Sequence, residues 1–585
     1  MNRRFEKWLA EISEKNLIYI LSLFVGLLSG TAAFMLKNFI HYVSHFLTQY
    51  FKDSEESFFY LAYPMIGILI SVLIVKYVIK DDISHGVSKI LSVISKKGSQ
   101  IKAHNTFSSM VTSGFTIGFG GSVGAEAPIV YTGAAIGSNI SRLFKLNPNQ
   151  VRLLIGCGAT GAIAGIFKAP VAGIMFTLEV LMLDLTMASI IPLLISGITA
   201  ATLAYFFMGS SVMFHFSLEN TFDYGNLPYY ILLGIFSGLI SFYFTRTGMY
   251  VEKWIKKIRN SYSRLIFGGI TLGILVFIFP SLWGEGYDSI NKIFTGHGAD
   301  LLNNSVFFNW KSDPYVLLVI LFLILIFKVF AMAITTASGG VGGIFAPTLF
   351  MGAIGGYILS LAMNTFFGMN LSPANFALVG MGSLMAGVMH APLLGIFLIA
   401  EITGGYQLLV PLIISSTVAY VTATRFEPHS IYTKRLAELG ELVTHHKDKA
   451  AMHFMNVKEL IETDFEILSP DMNLGQMTYS IARSKRDLFP VVDENGMMQG
   501  MIKLNDIRNL MFEQDLYEKI SVSDLMYMPE FFISPNDSVE LVAEKFKSCG
   551  RYNLAVIDDG KYIGFISRAR VFSVYRDTMA DLSFE

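Results

Sequence analysis

A glycine-rich turn that runs into an apolar helix occurs twice in this chain of 585 residues. Residues 120–128 read GlyGlySerValGlyAlaGluAlaPro, and residues 339–347 read GlyGlyValGlyGlyIlePheAlaPro. Their prolines, Pro128 and Pro347, are 219 positions apart. Such a turn presents free backbone N–H groups and the positive end of a helix dipole, which together attract an anion. The two copies therefore predict a fold that contains two related anion cradles.

A second pair of matching segments has nearly the same spacing. Residues 168–179 read LysAlaProValAlaGlyIleMetPheThrLeuGlu, and residues 390–401, 222 positions further along, read HisAlaProLeuLeuGlyIlePheLeuIleAlaGlu. Two pairs of matches at nearly equal offsets indicate duplicated halves, about 17–210 and 226–440. Duplicated membrane halves commonly place a substrate site at their interface, among interrupted helices.

The two cradles differ in one side chain. Only the first copy carries a carboxylate, Glu126. This carboxylate lies where an anion would bind, so it would compete with the anion, and it would act as a gate if it moves. Burying a charge in lipid is costly, so an ionisable residue inside a membrane segment indicates function by default.

Four other ionisable residues lie in apolar surroundings. Glu179 and Glu401 end the second pair of matching segments, and this shared position predicts a role in helix capping or packing. Lys168 and Lys328 are expected to pair with a carboxylate or a carbonyl group rather than with a transported ion.

Most of the first 440 residues are apolar enough to lie in a membrane. The chain is 53% hydrophobic and 15% charged, with a mean hydropathy of +0.52, whereas soluble proteins are about one quarter charged. The segments near the length that crosses a bilayer are 17–35, 59–79, 188–207, 229–244, 264–280 and 315–334. Shorter or interrupted apolar segments are 107–119, 126–140, 151–166, 171–183, 345–366, 374–389, 393–400 and 408–424. Interrupted segments need cover from surrounding protein, so we expect an all-α polytopic domain packed as a bundle over residues 1–440.

Charges and cysteines indicate the setting of the chain. Basic clusters at Arg3–Arg4, Lys96–Lys97 and Lys253–Arg259 are expected to lie in the cytoplasm, and the N-terminus with them. No cleavable signal peptide is evident, and the short loops suit a bacterial inner membrane. Cys157 and Cys549 lie in different kinds of segment, so no disulfide or metal site is expected. The net charge of −1 says nothing about partners, and no nucleic-acid partner is expected.

At about residue 440 the sequence takes on the character of a soluble region. A polar linker, 441–451, precedes two units, 452–512 and 520–580, and each unit reads as helix, strand, turn, strand, helix. The matching stretches are PheProValValAsp (489–493) and GlyMetIleLysLeuAsnAsp (500–506) in the first unit, and AsnLeuAlaValIleAsp (553–558) and GlyPheIleSerArgAlaArg (564–570) in the second. The units resemble a tandem pair of CBS domains, which implies an α/β cytoplasmic region.

The membrane part resembles the CLC family of chloride channels and proton/chloride exchangers. GlyAlaGluAlaPro at 124–128 is similar to the family's gating segment. The resemblance implies that Glu126 is the external gating glutamate and that Gly124 and Ala125 adjoin the anion. It also implies a homodimer with one pore in each subunit.

Two further segments extend the resemblance. GlyIlePheAlaPro at 343–347 is similar to the family segment whose backbone amides, here those of Ile344 and Phe345, bind the central anion. Tyr432, within SerIleTyrThrLysArg at 430–435, is similar in position to the tyrosine whose hydroxyl faces that anion from the cytoplasmic side.

One loop departs from the family's commonest form, which reads Gly-Ser-Gly-Ile-Pro and donates a serine hydroxyl to the anion. Residues 84–88 here read SerHisGlyValSer, so His85 takes the serine position and Ser84 precedes it. A histidine donates a hydrogen bond and attracts an anion when protonated. Either His85 contacts the anion, or it packs at the cytoplasmic mouth while backbone amides bind.

A second departure concerns protons. In exchangers of this family the segment similar to PheThrLeuGluVal at 176–180 usually ends in two acidic residues, and the second relays protons from the cytoplasm. Here that position is Val180, which carries no proton. Channel-type members typically lack this carboxylate, although some members exchange protons with an unrelated residue there.

The CBS units carry an incomplete nucleotide motif. Family units that hold a ribose often place Ser or Thr three residues before Asp. The first unit has Asp506 but Lys503 in the hydroxyl position, and the second has Ser567 but Arg570 in the aspartate position. Adenine nucleotide binding at one cleft and a purely structural or dimer-stabilising role are both open, and the structural role is favoured.

Together these patterns predict a membrane anion transporter gated by Glu126, with chloride as its ligand, no required cofactor and no enzymatic activity. Val180 favours a passive, pH-gated channel, and the alternative is a proton-coupled chloride antiporter. A CBS-regulated divalent-cation transporter is a distant alternative because it needs converging carboxylates or carbonyls. An intramembrane enzyme is disfavoured because the apolar segments contain no metal-ligand pair and no nucleophile–base motif.

Overall fold

The chain forms two compact units, Met1–Leu442 and Val443–Glu585. The computed structural model describes residues 12–49, 58–95, 100–183, 186–209, 214, 224–438, 452 and 455–582. The predicted linker 441–451 and the basic pairs Arg3–Arg4 and Lys96–Lys97 lie outside the described residues.

The first unit is helical. Its α-helices are α1 Glu14–Thr48, α2 Phe59–Leu73, α3 Gly86–Ser95, α4 Ser108–Gly118, α5 Glu126–Leu143, α6 Pro148–Phe167, α7 Pro170–Met175, α8 Met187–Met208, α9 Leu227–Lys256, α10 Ser261–Ile278, α11 Tyr287–Phe294, α12 Pro314–Ala337, α13 Phe345–Phe367, α14 Pro373–Met389, α15 Pro392–Ile402, α16 Leu409–Phe426 and α17 Ile431–Glu438. One-turn π-helices, Ile74–Ile79 and Phe176–Val180, extend α2 and α7. Among the described residues, nine helices are long and apolar enough to span a membrane. Each predicted apolar segment falls on a helix, within a few residues at its ends, which confirms the polytopic all-α domain.

The duplicated halves bury equivalent helix pairs through small residues. In the first half α5 packs on α6, where Gly133 faces the backbone of Gly158. In the second half α13 packs on α14, where Gly352 faces the backbone of Gly380. A Cβ at any of these four positions would meet a carbonyl of the facing helix. Close backbone approach of this kind is how membrane helices gain van der Waals contact without a hydrophobic driving force.

The halves also contact each other through reciprocal bonds. The N–H of Gly124 donates to the carbonyl of Gly343 at 2.9 Å, and the N–H of Gly343 donates to the carbonyl of Gly124 at 2.7 Å. The two glycine-rich turns found in the sequence therefore pair with each other. This pair of bonds is reciprocal, as expected for a duplicated fold.

Two glutamates, one from each half, cap helices of the opposite half in the same reciprocal way. Glu179, at the end of the α7 segment, accepts from the N–H groups of Leu393 (3.1 Å) and Leu394 (2.7 Å) at the start of α15. Glu401, at the end of α15, accepts from the N–H groups at 171 (3.1 Å) and 172 (2.8 Å) at the start of α7. Each glutamate thus caps a helix of the other half, where free N–H groups and the helix dipole favour a carboxylate. This matches the capping role predicted for both residues.

The second unit is α/β and contains two repeats. Its elements are α18 Val457–Leu460, α19 Leu474–Arg483, β1 Leu488–Val492, β2 Met498–Lys503, α20 Leu504–Ile507, α21 Val522–Leu525, β3 Phe532–Ile533, α22 Val539–Cys549, β4 Asn553–Asp558, β5 Lys561–Ser567 and α23 Arg568–Leu582. Strands β1 and β2 pair antiparallel, as do β4 and β5, in agreement with the predicted order of elements. Strand β3, which was not predicted, adds to β4 in parallel.

The two repeats exchange short segments. Val457 and Leu460 of α18 pack in the apolar core of the second repeat, beside Val539 and Val542. Val522 of α21 packs in the core of the first repeat. The first helix of each repeat therefore packs in the core of the other repeat, which ties the pair into one unit.

Candidate functional site

Helices α5 and α13 begin at the two paired glycine turns. Residue Ala125 precedes α5 and Ile344 precedes α13, and neither provides a side-chain cap. The first N–H groups of both helices therefore need partners from elsewhere. Uncapped helix starts that face the interior of a protein suit a negative charge.

The carboxylate of Glu126 lies at this junction. The residue is 1% exposed. Its Oε1 accepts a hydrogen bond from the hydroxyl of Tyr287, and its Oε2 is buried without a hydrogen-bond partner among the described residues. A Cβ at Gly124 would lie 3.0 Å from the nitrogen of Ala346 and even closer to Oε2 of Glu126. Only glycine at 124 lets the carboxylate approach the start of α13.

Tyr287 belongs to a loop, 280–287, that sequence reasoning missed. In this loop Glu285 accepts from the N–H of Ala125 at 3.2 Å. The ammonium of Lys328 holds the loop in place by donating to the carbonyls of Leu282 (3.4 Å) and Gly284 (3.2 Å). Lys328 is fully buried, and its third bond, at 2.8 Å, goes to the hydroxyl of Ser122. The prediction that this lysine pairs with carbonyl groups agrees with the structure.

The loop also lines a cavity of about 1030 Å³, which we call the vestibule. Its lining includes Lys37 of α1, Lys168 after α6, and Glu285, Tyr287 and Asp288 of the loop and α11. Lys168 donates to backbone carbonyls at 208 (3.3 Å) and 209 (2.8 Å), as predicted for this lysine. The vestibule therefore combines both signs of charge and adjoins the hydroxyl that bonds Glu126.

Two of the predicted anion-binding residues already use their N–H groups within the protein. The amide of Gly124 bonds Gly343, and the amide of Ala125 bonds Glu285. In this conformation neither N–H is directed at an anion. The bond of Gly124 follows from the reciprocal pairing of the two halves. The bond of Ala125 is made by Glu285 of the loop 280–287, 160 residues further along the chain.

The other residues predicted to bind the central anion, Ile344, Phe345 and Tyr432, are all buried. The ring of Phe345 packs on Phe167 and Phe176, at centroid distances of 5.5 and 6.4 Å. Ile344 is buried as well, and Tyr432 on α17 is 4% exposed. The hydroxyl of Tyr432 has no hydrogen-bond partner among the described residues. Because a buried polar atom normally has a partner, this hydroxyl suits a group that enters the site.

The side chains of Ser84 and His85 bond to protein groups rather than facing a free site. The hydroxyl of Ser84 donates to Asp82 at 2.7 Å. Nδ1 of His85 is 2.6 Å from a guanidinium nitrogen of Arg435, and Nε2 is 2.7 Å from Glu252. Since a guanidinium only donates, Nδ1 accepts and Nε2–H donates to the carboxylate. In this conformation both ring nitrogens of His85 are occupied, so neither is directed at an anion.

We call His85, Glu252, Lys256 and Arg435 the mouth cluster. Glu252 is the centre of this cluster, and its side chain is 8% exposed. It accepts from Lys256 and from Arg435, both at 2.6 Å. The cluster joins the start of α3 to α9 and α17, and so fixes the helix that carries Tyr432.

Val180 ends the π-helix that follows α7 and is 4% exposed. The neighbouring Glu179 is directed to the start of α15 and is already engaged there. No group of three or more His, Cys, Asp or Glu side chains that could hold a metal occurs within the described ranges.

In the second unit the two candidate nucleotide residues lie in different repeats. Asp506 is exposed on α20. The hydroxyl of Ser567 donates to the carboxylate of Glu462 and accepts from the N–H of Arg570 at 3.1 Å. The serine that would bind a ribose is therefore engaged by a carboxylate.

Four residues of these sites were not predicted from the sequence: Glu285 and Tyr287, which lie in a recognisable local pattern, and Glu252 and Arg435, which do not. Glu285 and Tyr287 lie in GlyGluGlyTyr, a charged residue between two glycines just after an apolar segment. Glu252 and Arg435 are 183 residues apart, and no local pattern connects them.

Comparison with known proteins identifies the membrane unit. A model of the voltage-gated chloride channel family matches residues 66–424, more than half of the chain. The chain belongs to the CLC family. Models of the CBS domain match residues 457–513 and 522–577, which confirms the tandem pair. The membrane unit is thus a chloride-transport domain of the CLC type in an integral membrane protein.

Relatives of known sequence include proteins with both kinds of name. A putative chloride channel protein, ClcB-like, from Ralstonia nicotianae is 30% identical over 393 residues, which is 64% of this chain and 85% of that protein. An H(+)/Cl(-) exchange transporter, ClcA, from Vibrio cholerae is 28% identical over 438 residues, 72% of this chain and 89% of that protein. A voltage-gated ClC-type chloride channel, ClcB, from Escherichia coli is 28% identical over 324 residues, 54% of this chain and 72% of that protein.

Solved structures confirm the fold. A slow cyanobacterial Cl-/H+ antiporter superposes with a TM-score of 0.62 at 22% identity, covering 73% of this chain and 99% of that chain. A eukaryotic CLC transporter superposes with a TM-score of 0.59 at 19% identity, covering 95% and 98%.

Proposed function

We propose that this protein exchanges chloride for protons across a bacterial inner membrane and that Glu126 is the group both ions share. The observation that carries the proposal is the position of the Glu126 carboxylate, buried at the uncapped starts of α5 and α13. A carboxylate there competes with an anion when charged and gives way when protonated. One side chain that takes a proton as the anion enters is what coupling requires.

Burial at both ends of the cradle favours exchange over free conduction. Glu126 is 1% exposed and Tyr432 is 4% exposed, and we propose that these two side chains cover the anion site at its two ends. A channel needs a path that is open along its whole length, whereas an exchanger exposes its site to one side at a time. The 28% identical relative named as an H(+)/Cl(-) exchange transporter supports the same choice.

Passive conduction remains the second candidate because of Val180. The sequence favoured a channel since this position holds no carboxylate, and the relatives named as chloride channels share 28–30% identity with the chain. In an exchanger, protons would have to reach Glu126 from the cytoplasm by a route that does not use the side chain at 180.

We assign the central anion to the amides of Ile344 and Phe345 and to the hydroxyl of Tyr432. The uncapped start of α13 and the unpartnered hydroxyl support this assignment. The mouth cluster, with His85, would fix the cytoplasmic end of the path. We also propose a homodimer with one path in each subunit and with the CBS units in the cytoplasm.

The reversal potential of purified protein in planar bilayers tests the exchange. With chloride held in a fixed gradient, an added pH gradient should move the reversal potential away from the chloride equilibrium value. A reversal potential that stays at the chloride value under every pH gradient would establish the passive channel instead.

A further inference from the structure

We propose that Glu285 is a positioning residue that sets the vestibule pH at which Glu126 is protonated. The inference rests on the proposed gating role of Glu126, and it holds whether that gate serves an exchanger or a channel. It concerns a carboxylate on the vestibule side of the gate.

The loop that carries Glu285 holds Glu126 at two points. Glu285 accepts from the N–H of Ala125, the residue before Glu126, at 3.2 Å. Tyr287, two residues further along the loop, donates its hydroxyl to the Glu126 carboxylate. A three-residue segment therefore contacts both the backbone and the side chain of the gate.

Glu285 and Glu126 have different access to water. Glu285 is half-buried and lines the vestibule, whereas Glu126 is almost fully buried. Protons in the vestibule thus meet Glu285 at the cavity surface. The two carboxylates interact because Glu285 bonds the residue that precedes Glu126, and neighbouring like charges disfavour each other in a partly desolvated site.

The charges around Glu285 are defined by the elements packed against it. Lys37 of α1 and Asp288 of α11 share its cavity. Lys328 of α12 donates to the carbonyl of Gly284, immediately before Glu285. Burial of its carboxyl group raises the pKa of Glu285, and the charges of Glu126 and Asp288 act in the same direction, whereas the N–H of Ala125 and Lys37 favour the ionised form. The neighbouring phenol, Tyr287, is bonded to Glu126.

The effect on the gate has a definite sign. While Glu285 is ionised, its charge makes a second negative charge at Glu126 less favourable, so the pair takes up its first proton at a higher vestibule pH than Glu126 would alone. Removing the charge of Glu285 should therefore require a more acidic vestibule to open the gate. A charge a few ångströms away in a site of intermediate dielectric corresponds to about one pH unit.

The competing interpretation is that Glu285 only clamps the N–H of Ala125. Glu285→Gln separates the two, because its side-chain oxygen still accepts that bond while the charge is lost. Glu285→Ala removes both. Asp288→Asn is the matched control, since it removes one charge from the same cavity without touching Ala125.

The measurement is chloride efflux from liposomes that hold the full-length protein, recorded over a series of external pH values. For Glu285→Gln we expect the pH of half-maximal flux to move down by about one unit, with maximal flux at acidic pH equal to wild type. That equal maximum shows that the variant is folded. Asp288→Asn should move the midpoint much less.

Two results would overturn the proposal. One is a Glu285→Gln profile that superposes on wild type, or moves to higher pH. The other is a shift of the same size when Glu285→Gln is added to Glu126→Gln, because the effect would then not act through the gate. The bilayer reversal potential of the wild type tests exchange separately. If Glu285→Gln shifts the pH of half-maximal flux but the wild type shows no proton coupling, the inference stands and exchange is rejected. If the wild type shows coupling but Glu285→Gln causes no shift, exchange stands and the inference is rejected.

Discussion

The two halves of the membrane unit are joined by the same kinds of reciprocal contact, but their matching glycine-rich turns carry different side chains at the first helical position. Gly124 and Gly343 exchange backbone hydrogen bonds, and Glu179 and Glu401 exchange helix caps. At the corresponding turns, however, the first half carries Glu126 and the second carries Phe345. Phe345 packs on aromatic rings, whereas the Glu126 side chain is a charge at the start of a helix.

This difference between the two turns shows that the residues that maintain the symmetry of the halves are not the residues proposed to carry the function. The paired glycines and the exchanged carboxylates maintain two equivalent helix starts. In the proposed function, the difference between Glu126 and Phe345 within that frame makes one helix start a gate and leaves the other as an anion cradle. The chain also contains a second duplication, the CBS pair, in which each repeat lacks one residue of the nucleotide motif.

Glu126→Gln should have the largest effect because it removes the carboxylate that only the first of the two glycine-rich turns carries. Glutamine has nearly the same shape as a protonated glutamate and cannot ionise. We expect chloride flux to persist, most of its pH dependence to vanish, and any pH-driven shift of the reversal potential to disappear. Flux from liposomes and the bilayer reversal potential measure the three properties.

Glu179→Gln is the matched control for that experiment, since it neutralises another carboxylate of the membrane unit that only caps a helix. The pH dependence of chloride flux through Glu179→Gln should remain close to that of the wild type. If Glu126→Gln kept the full pH response, a different residue would have to sense protons, and the contrast between the halves would lose its functional meaning.

The symmetric contacts predict equal, moderate losses of stability. Glu179→Ala and Glu401→Ala each leave two helix N–H groups without their carboxylate, which costs about 1–2 kcal/mol. We expect similar drops in the thermal unfolding temperature of the detergent-solubilised protein. A loss at one position several times larger than at the other would show that the two caps are not equivalent.

The smallest expected effect concerns the CBS pair. Adding adenine nucleotide should leave the thermal unfolding of the full-length protein unchanged, because the Ser567 hydroxyl is engaged by Glu462 and Asp506 lies in the other repeat. A ligand that binds only the folded state raises stability with its concentration. A saturable rise in unfolding temperature would therefore reveal a nucleotide site, and Ser567→Ala would show whether the second repeat forms it.

The sequence by itself determined the apolar segments, the duplication, the CBS pair and the lone carboxylate of Glu126. These features follow from composition, from local motifs, and from the recurrence of those motifs along the chain. It also identified Lys328 as a group that must find a carbonyl partner, because a charge in apolar surroundings needs one.

Only the tertiary structure decided which donors remain free. The bond from Ala125 to Glu285 spans 160 residues, and that between His85 and Arg435 spans 350. A predicted anion contact depends on whether an N–H group already has a partner, and packing between distant segments sets that partner. The local sequence therefore predicted Glu126 as the proposed gate. The fold brought Tyr287 and Glu285 next to Glu126 and placed His85 in the mouth cluster.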